Sequence, residues 1–395
     1  MQLGWIDFSK NERNKIIQTL KILEDSAALD ELGIGVIRDG YSDMLFPGIS
    51  TLQKRAKYFV LLPYIFAMAE RGNFEKASDV LPWIRKQEDA LVAVLLKNSV
   101  DTTGVVGLRA HGQGKTVKTK PLEMYWNGMR VFGIVRNDKL SVSNVCHIIY
   151  GKQARKKALS IKTEAKRREG EGFDDETAIN ENLTMFSSLS ANYPFMTEAA
   201  IELTSEEAHF LYQKIIASEK VKSSLLAFLL REKLLFPDFN DIDETILPDN
   251  LKETVVLAKN FSDFIEGAHI RYNVIYSRSS GEGDAEMADK YIKWQNECRF
   301  DSLDLPSVFS KINCDGQTIG FINSFYEASR INDETAIDRL IINREREKKQ
   351  ERAKLCKPQE YKYKRPDDIN KLTYRYGTAK TILKDIFDGM GVSNG

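Results

Sequence analysis

Cysteine is scarce: Cys146, Cys298, Cys314 and Cys356 stand far apart and form no Cys-x-x-Cys pair. That excludes a disulfide framework and the common structural zinc sites, and it fits buried free thiols in a reducing compartment. The four histidines, His111, His147, His209 and His269, have no metal-ligand spacing, and neither a Gly-x-Ser-x-Gly elbow nor a His-x-Lys pair occurs. With no recognisable catalytic centre, metal set or cofactor signature, the chain reads as a binding protein before an enzyme. Long apolar runs are missing too. The longest, Tyr58 to Ala69, is interrupted by Pro63 and falls short of the roughly 20 residues that cross a bilayer. Met1 to Lys15 lacks the apolar core of an export signal, so a cytoplasmic protein with no membrane partner is expected.

What is present is an ordinary globular composition, 42% hydrophobic and 29% charged, over 395 residues. At roughly 100–200 residues per domain this predicts two or three cores. Ser9 and Glu12 form a capping box ahead of a helix carrying Ile16, Leu20, Leu23 and Ala27, and Ser50 with Gln53 opens a long apolar helix that kinks at Pro63 and ends near Gly72. Further helices are predicted over 81–98, from Pro121 to a stop at Gly133, and over 143–150, with a short strand at Ile134 to Arg136. Beyond residue 170 the pattern is helical at 205–217 behind Thr204 and Glu207, and at 220–234, 251–276, 285–298 and 334–355. The expected fold is therefore mainly α and multi-helical, with two or more subdomains. These are an N-terminal helical domain (1–168), a helical middle domain (169–338) and a basic C-terminal helical segment packing on it (339–395). Around 84–150 the pattern suits a small winged-helix-like element or helix-turn-helix variant, and equally an ordinary α-helical subdomain.

Net charge is zero, but it is unevenly spread. Residues 109–168 hold fifteen Lys or Arg against Glu123, Asp138 and Glu164, a net of +12, and residues 339–365 hold eleven against four Glu, a net of +7. The remainder must sum to −19. Basic clusters on an otherwise acidic chain suit a polyphosphate, because neutralising phosphates releases condensed counterions. The candidate contacts begin in the glycine-rich loop 101–120, with Arg109, His111, Lys115, Lys118 and Lys120, and continue with Arg130 and Arg155. Lys54, Arg55 and Lys57 follow Ser50-Thr51, where a helix start would offer free amides to an anion. Arg344, Lys348, Arg352 and Arg375 complete the set. In Tyr361 to Arg365 and Tyr374 to Tyr376 aromatics alternate with cations, a pattern for stacking unpaired bases. The competing readings are a solvated linker for 152–168 and a charged surface helix for Arg344 to Lys357.

Gly107 to Thr116 ends in Gly-Lys-Thr, yet Arg109 stands where a phosphate-binding loop needs its first glycine. Glu-x-Lys at Glu164 and Glu360 lies in charged segments where the triplet arises by chance. Asp7, Asp39 and Asp43 are the acids that a cryptic metal-dependent nuclease or toxin would have to gather.

Two stretches resemble a known family. Leu32-Gly33-Ile34-Gly35 runs through Arg38-Asp39 to Phe46-Pro47-Gly48-Ile49-Ser50-Thr51-Leu52-Gln53-Lys54-Arg55-Ala56-Lys57-Tyr58-Phe59, and Tyr125-Trp126-Asn127-Gly128-Met129-Arg130 precedes Phe132-Gly133-Ile134. They are similar to an uncharacterised bacterial family, domain of unknown function six-three-six-one. Asp338-Arg339-Leu340-Ile341, Arg344-Glu345, Ala353-Lys354-Leu355 and Tyr374-Arg375-Tyr376 resemble it too. The resemblance implies no chemistry. It implies a companion of helicases and nucleases in bacterial defence. Together with the charge it predicts a DNA-binding accessory protein of an anti-phage system, the DNA duplex or single-stranded, with a scaffold subunit of a helicase or nuclease complex as the alternative.

Overall fold

In chain order the helices are α1 (Gly35–Leu45), α2 (Tyr58–Glu70), α3 (Val80–Asn98), α4 (Leu108–His111), α5 (Pro121–Val131), α6 (Val142–Glu169), α7 (Phe195–Glu198) and α8 (Ser205–Ala217). There follow α9 (Leu225–Glu232), α10 (Asp249–Ser279), α11 (Ala285–Glu297), α12 (Leu305–Ser310), α13 (Gly316–Arg330), α14 (Glu334–Lys349) and α15 (Tyr376–Gly389). This computed structural model describes residues 31–115, 117–169, 185–187, 193–358, 360–366 and 371–392, with side chains omitted over 159–169. The fold is mainly α and multi-helical, as the periodicity predicts. Among the described residues there is no sheet. The strand expected at 134–136 is reduced to one antiparallel bridge, Val135 to Phe186, with the Ser187 amide donating to the Ile134 carbonyl at 2.8 Å. The helix predicted after Ser9 and the boundary predicted near 170 lie outside the described residues.

Two compact units are each assembled from distant segments: residues 1–42 with 243–374, and residues 43–242 with 375–395. In the first, the long α10 is the spine. Gly267 lets the Trp294 ring of α11 lie directly on the α10 backbone, where a Cβ would fall about 2.1 Å from the ring. Phe264, Phe300, Phe325 and Trp294 fill the space around it. Arg271 is buried against the Tyr291 ring and held by Asp338 and Glu334. The predicted helix 334–355 stops at Lys349. Gln350 takes a positive φ, and the buried Glu345 carboxylate accepts the amides of Lys354 and Leu355 at 2.9 Å each, turning the chain back.

In the second unit α2 is almost wholly buried, Pro63 included. It begins at Tyr58 rather than at Ser50: Gln53 Oε1 accepts the Ser50 amide, but the Ser50 hydroxyl has no partner, and the Gln53 amide turns instead to the carbonyls of Gly48 and Met124. Tyr125 of α5 packs on Tyr58 and Phe59, with Phe132 beyond. Pro121 opens α5, and Gly133, at φ 67°, ends it as predicted. The linker expected at 152–168 is instead helix. α6 runs unbroken to Glu169, since after Gly151 the sequence holds only side chains that tolerate a helix and no proline. The Thr204–Glu207 box does cap α8: Thr204 Oγ1 accepts the Glu207 amide at 3.3 Å and Glu207 Oε2 accepts the Thr204 amide at 2.8 Å.

Candidate nucleic-acid interface

The segment 50–57 already holds its anion. The amide of Ala56 donates to Asp385 at 2.7 Å, and the Arg55 guanidinium grips the same carboxylate at 2.9 and 3.0 Å. The amides of Lys54 and Arg55 donate to the Tyr125 hydroxyl at 2.7 and 3.0 Å, and Ser50 gives its amide to Gln53. Burial raises the Asp385 pKa, against the pull of Arg55 and the Ala56 amide. Lys57 is buried as well, donating to Glu207 at 2.7 Å and to the Glu202 carbonyl at 3.1 Å. Of the three cations read here as phosphate contacts, only Lys54 is fully exposed.

The loop 101–120 wraps the end of α3. The Val106 amide donates to the Tyr58 hydroxyl at 2.8 Å, and Gly107, at φ 96°, turns the chain into the single turn of α4. Lys115 returns its amide to the Ala110 carbonyl at 2.8 Å, so this amide closes a turn instead of pointing outward to a phosphate. The side chains behave otherwise. Arg109, His111, Lys115 and Lys118 are all exposed, and none forms an ion pair with a described residue. Lys120 is turned inward, buried and paired with Asp89. Arg130 donates to the Asp138 carbonyl.

α6 joins the unit through Lys152, 3.3 Å from Glu70, and through Gln153, whose amide donates to the Ala69 carbonyl at 2.8 Å. Immediately beyond, Arg155, Lys156 and Lys157 are exposed and likewise unpaired among the described residues. Lys156 and Lys157 were not singled out from the sequence, although the count over 109–168 contained them. Residues 1–165 match the model of a family of unknown function (DUF6361). The DUF6361 match thus takes in the loop, Arg155 to Lys157 and the two N-terminal signature segments, and brings no activity with it. It ends short of the C-terminal segments that resemble the family. No curated protein and no solved structure matches the chain.

Many of the C-terminal cations outside the DUF6361 match have internal partners, while Arg339, Lys348, Lys362 and Lys364 are exposed without a carboxylate partner among the described residues. Arg344, 1% exposed, donates to the Leu32 carbonyl at 2.9 Å and Thr318 Oγ1 at 2.6 Å and lies over the Phe321 ring. Arg375 pairs with Asp43 at 2.5 Å, Arg365 with Asp284 and Glu286, and Lys349 and Lys354 with Glu31. Lys348 and Arg352 are exposed. Three of the four tyrosines of these segments do not offer free faces, while Tyr361 is half-buried. Tyr374 donates to the Ala258 carbonyl at 2.7 Å, Tyr363 to Asp284 at 3.0 Å and Tyr376 to the Phe236 carbonyl at 2.9 Å, all three rings being buried. Their hydroxyls have the partners that buried tyrosines require, so these rings belong to the core.

Among the described residues no three His, Cys, Asp or Glu side chains gather to hold a metal. Asp39 pairs with Arg38 and Asp43 with Arg375, while Asp7 lies outside the described residues. No described helix is long and apolar enough to cross a membrane.

Proposed function

We propose that this protein binds nucleic acid through the exposed cations of the glycine loop and of the first half of α6. The reading is carried by one observation. Lys54, Arg109, Lys115, Lys118, Arg155, Lys156 and Lys157 are exposed without a described carboxylate partner, whereas Arg55, Lys57, Lys120, Arg130 and Arg375 of this unit are spent on internal contacts. Unpaired surface cations keep their field for an external polyanion, and each phosphate neutralised releases counterion. An accessory role in bacterial anti-phage defence, beside a helicase or nuclease, is the part supported by the family resemblance. The reading is tested by anisotropy with a labelled oligonucleotide at low salt. Changing Arg155, Lys156 and Lys157 together to Glu is expected to weaken binding at least tenfold, and Lys293→Glu, on a cation of the other unit that has its own Glu297 partner, to leave it unchanged. Equal affinity of all three proteins contradicts the assignment.

A further inference from the structure

Ser187 stands at a fixed point of the second unit. The antiparallel bridge sets its backbone: its amide donates to the Ile134 carbonyl at 2.8 Å, and the Arg136 amide donates to the Met185 carbonyl at 3.0 Å. Phe186, between Met185 and Ser187, is buried with its ring stacked on Phe66 at 4.6 Å. The Ser187 hydroxyl is thereby held 2.8 Å from Lys214 Nζ of α8. Lys214 Nζ also lies over the Phe210 ring, one turn back on the same helix, 5.8 Å from its centroid. Both side chains are half-buried, so the pair is drawn out of bulk water and stays reachable from it.

The company of Lys214 sets it apart. Lys57, Lys120 and Lys152 of the same unit, at comparable or deeper burial, each meet a carboxylate. Lys214 meets none among the described residues. The charged group that faces it is Arg136, exposed and standing diagonally across the bridge from Ser187. Asp138, two residues beyond Arg136, is turned to Lys220 at 2.5 Å. Burial first, and then the Arg136 charge, lowers the Lys214 pKa below that of an ordinary lysine. A lysine kept from carboxylates and set beside a second cation gives up its proton more readily, and a neutral amine at hydrogen-bonding distance from a hydroxyl can take the hydroxyl's proton.

We propose that Ser187 and Lys214 act as nucleophile and general base on a carboxylic ester, with the Arg136 guanidinium offered to the charge that develops on the carbonyl oxygen. Ser187 Oγ bonds to the carbonyl carbon while its proton passes to Lys214 Nζ. The carbon–oxygen bond to the alcohol then breaks, and the alcohol oxygen takes that proton. Water attacks the acyl-serine next, its proton travelling by way of Nζ back to Oγ as the acid is released. An uncharged ester suits this pair better than a phosphodiester, whose negative charge would hold Lys214 as ammonium. The test uses the full chain and a fluorophosphonate probe, which phosphonylates an activated serine, with the labelled peptide mapped and the rate followed from about pH 6 to pH 10. Expected is labelling at Ser187 that rises with pH, is absent in Ser187→Ala and falls about a hundredfold or more in Lys214→Met. Lys222→Met, on a cation paired with Glu219, is expected to label like the wild type. Arg136→Gln is expected to move the midpoint of the pH profile upward, because the repulsion that favours neutral Lys214 is gone. Hydrolysis of p-nitrophenyl butyrate is expected to stop once Ser187 is labelled. Absence of labelling at Ser187 throughout this pH range, or equal rates in the wild type and Lys214→Met, overturns the dyad, and neither result bears on nucleic-acid binding.

Discussion

Glu88, on α3, is buried with one carboxylate oxygen accepting the Leu122 amide at 2.7 Å and the other without a hydrogen-bond partner. Burial pushes its pKa up to about 7, against the opposing pull of that amide and of Lys120. The folded state therefore keeps a proton that the unfolded chain releases between about pH 4.5 and 7. The sign follows from linkage: over that window the contribution of Glu88 to stability falls as pH rises, by at most about 3 kcal/mol. Glu88→Gln is expected to flatten the decline of Tm between pH 5 and 8 and to exceed the wild type at pH 8. Parallel curves for the two proteins contradict this. At the same scale, sequence reading identified the cations correctly and their company poorly. Arg344 was legible as a charge but not as a buried donor to Leu32 and Thr318, because those partners are brought to it only by folding. The same holds for Lys57, whose Glu207 lies 150 residues away.

Elements were most legible where the signal is local. The Thr204–Glu207 box and the Pro121–Gly133 pair mark helix ends that the structure keeps, since caps, proline and glycine act within one turn. Ser50 and Gln53 carry the same local signal and form half of the box, yet the Ser50 hydroxyl caps nothing and the helix starts eight residues after Ser50, with the Gln53 amide on Gly48 and Met124. α13 and α15 were not singled out, although both pack apolar faces. Glycine discriminates between close packing and mere tolerance within helices of the same unit. At Gly267 an added methyl meets the Trp294 ring, and at Gly320 it meets nothing within 4 Å. Gly267→Ala is expected to destabilise the protein by about 2–3 kcal/mol through overpacking, while Gly320→Ala gains roughly 0.5–1 kcal/mol from helix propensity. Chemical denaturation of the two variants checks this, and a neutral Gly267→Ala contradicts the packing of α11 on α10.

For the whole molecule, composition gave the helical class, and periodicity located most helices. The two units, each built from noncontiguous segments, could not be read from composition, because charge runs mark exposure and not the partners a segment folds against. The uneven charge was legible in outline. Of its two basic regions, the N-terminal one keeps Arg109, Lys115, Lys118 and Arg155 to Lys157 exposed and unpaired among the described residues, while in the C-terminal one Lys349, Lys354 and Arg365 pair with Glu31, Asp284 and Glu286 and Arg339, Lys348, Lys362 and Lys364 stay exposed. The candidate interface is thus smaller than a count of lysines and arginines suggests. The most direct measurement is the affinity of the full chain for an oligonucleotide across a salt series. Engagement of about five phosphates predicts a slope of log K against log salt near −4, and roughly a 10²–10³-fold loss between 50 and 200 mM salt. Binding that is absent at low salt, or present with no slope, contradicts the account.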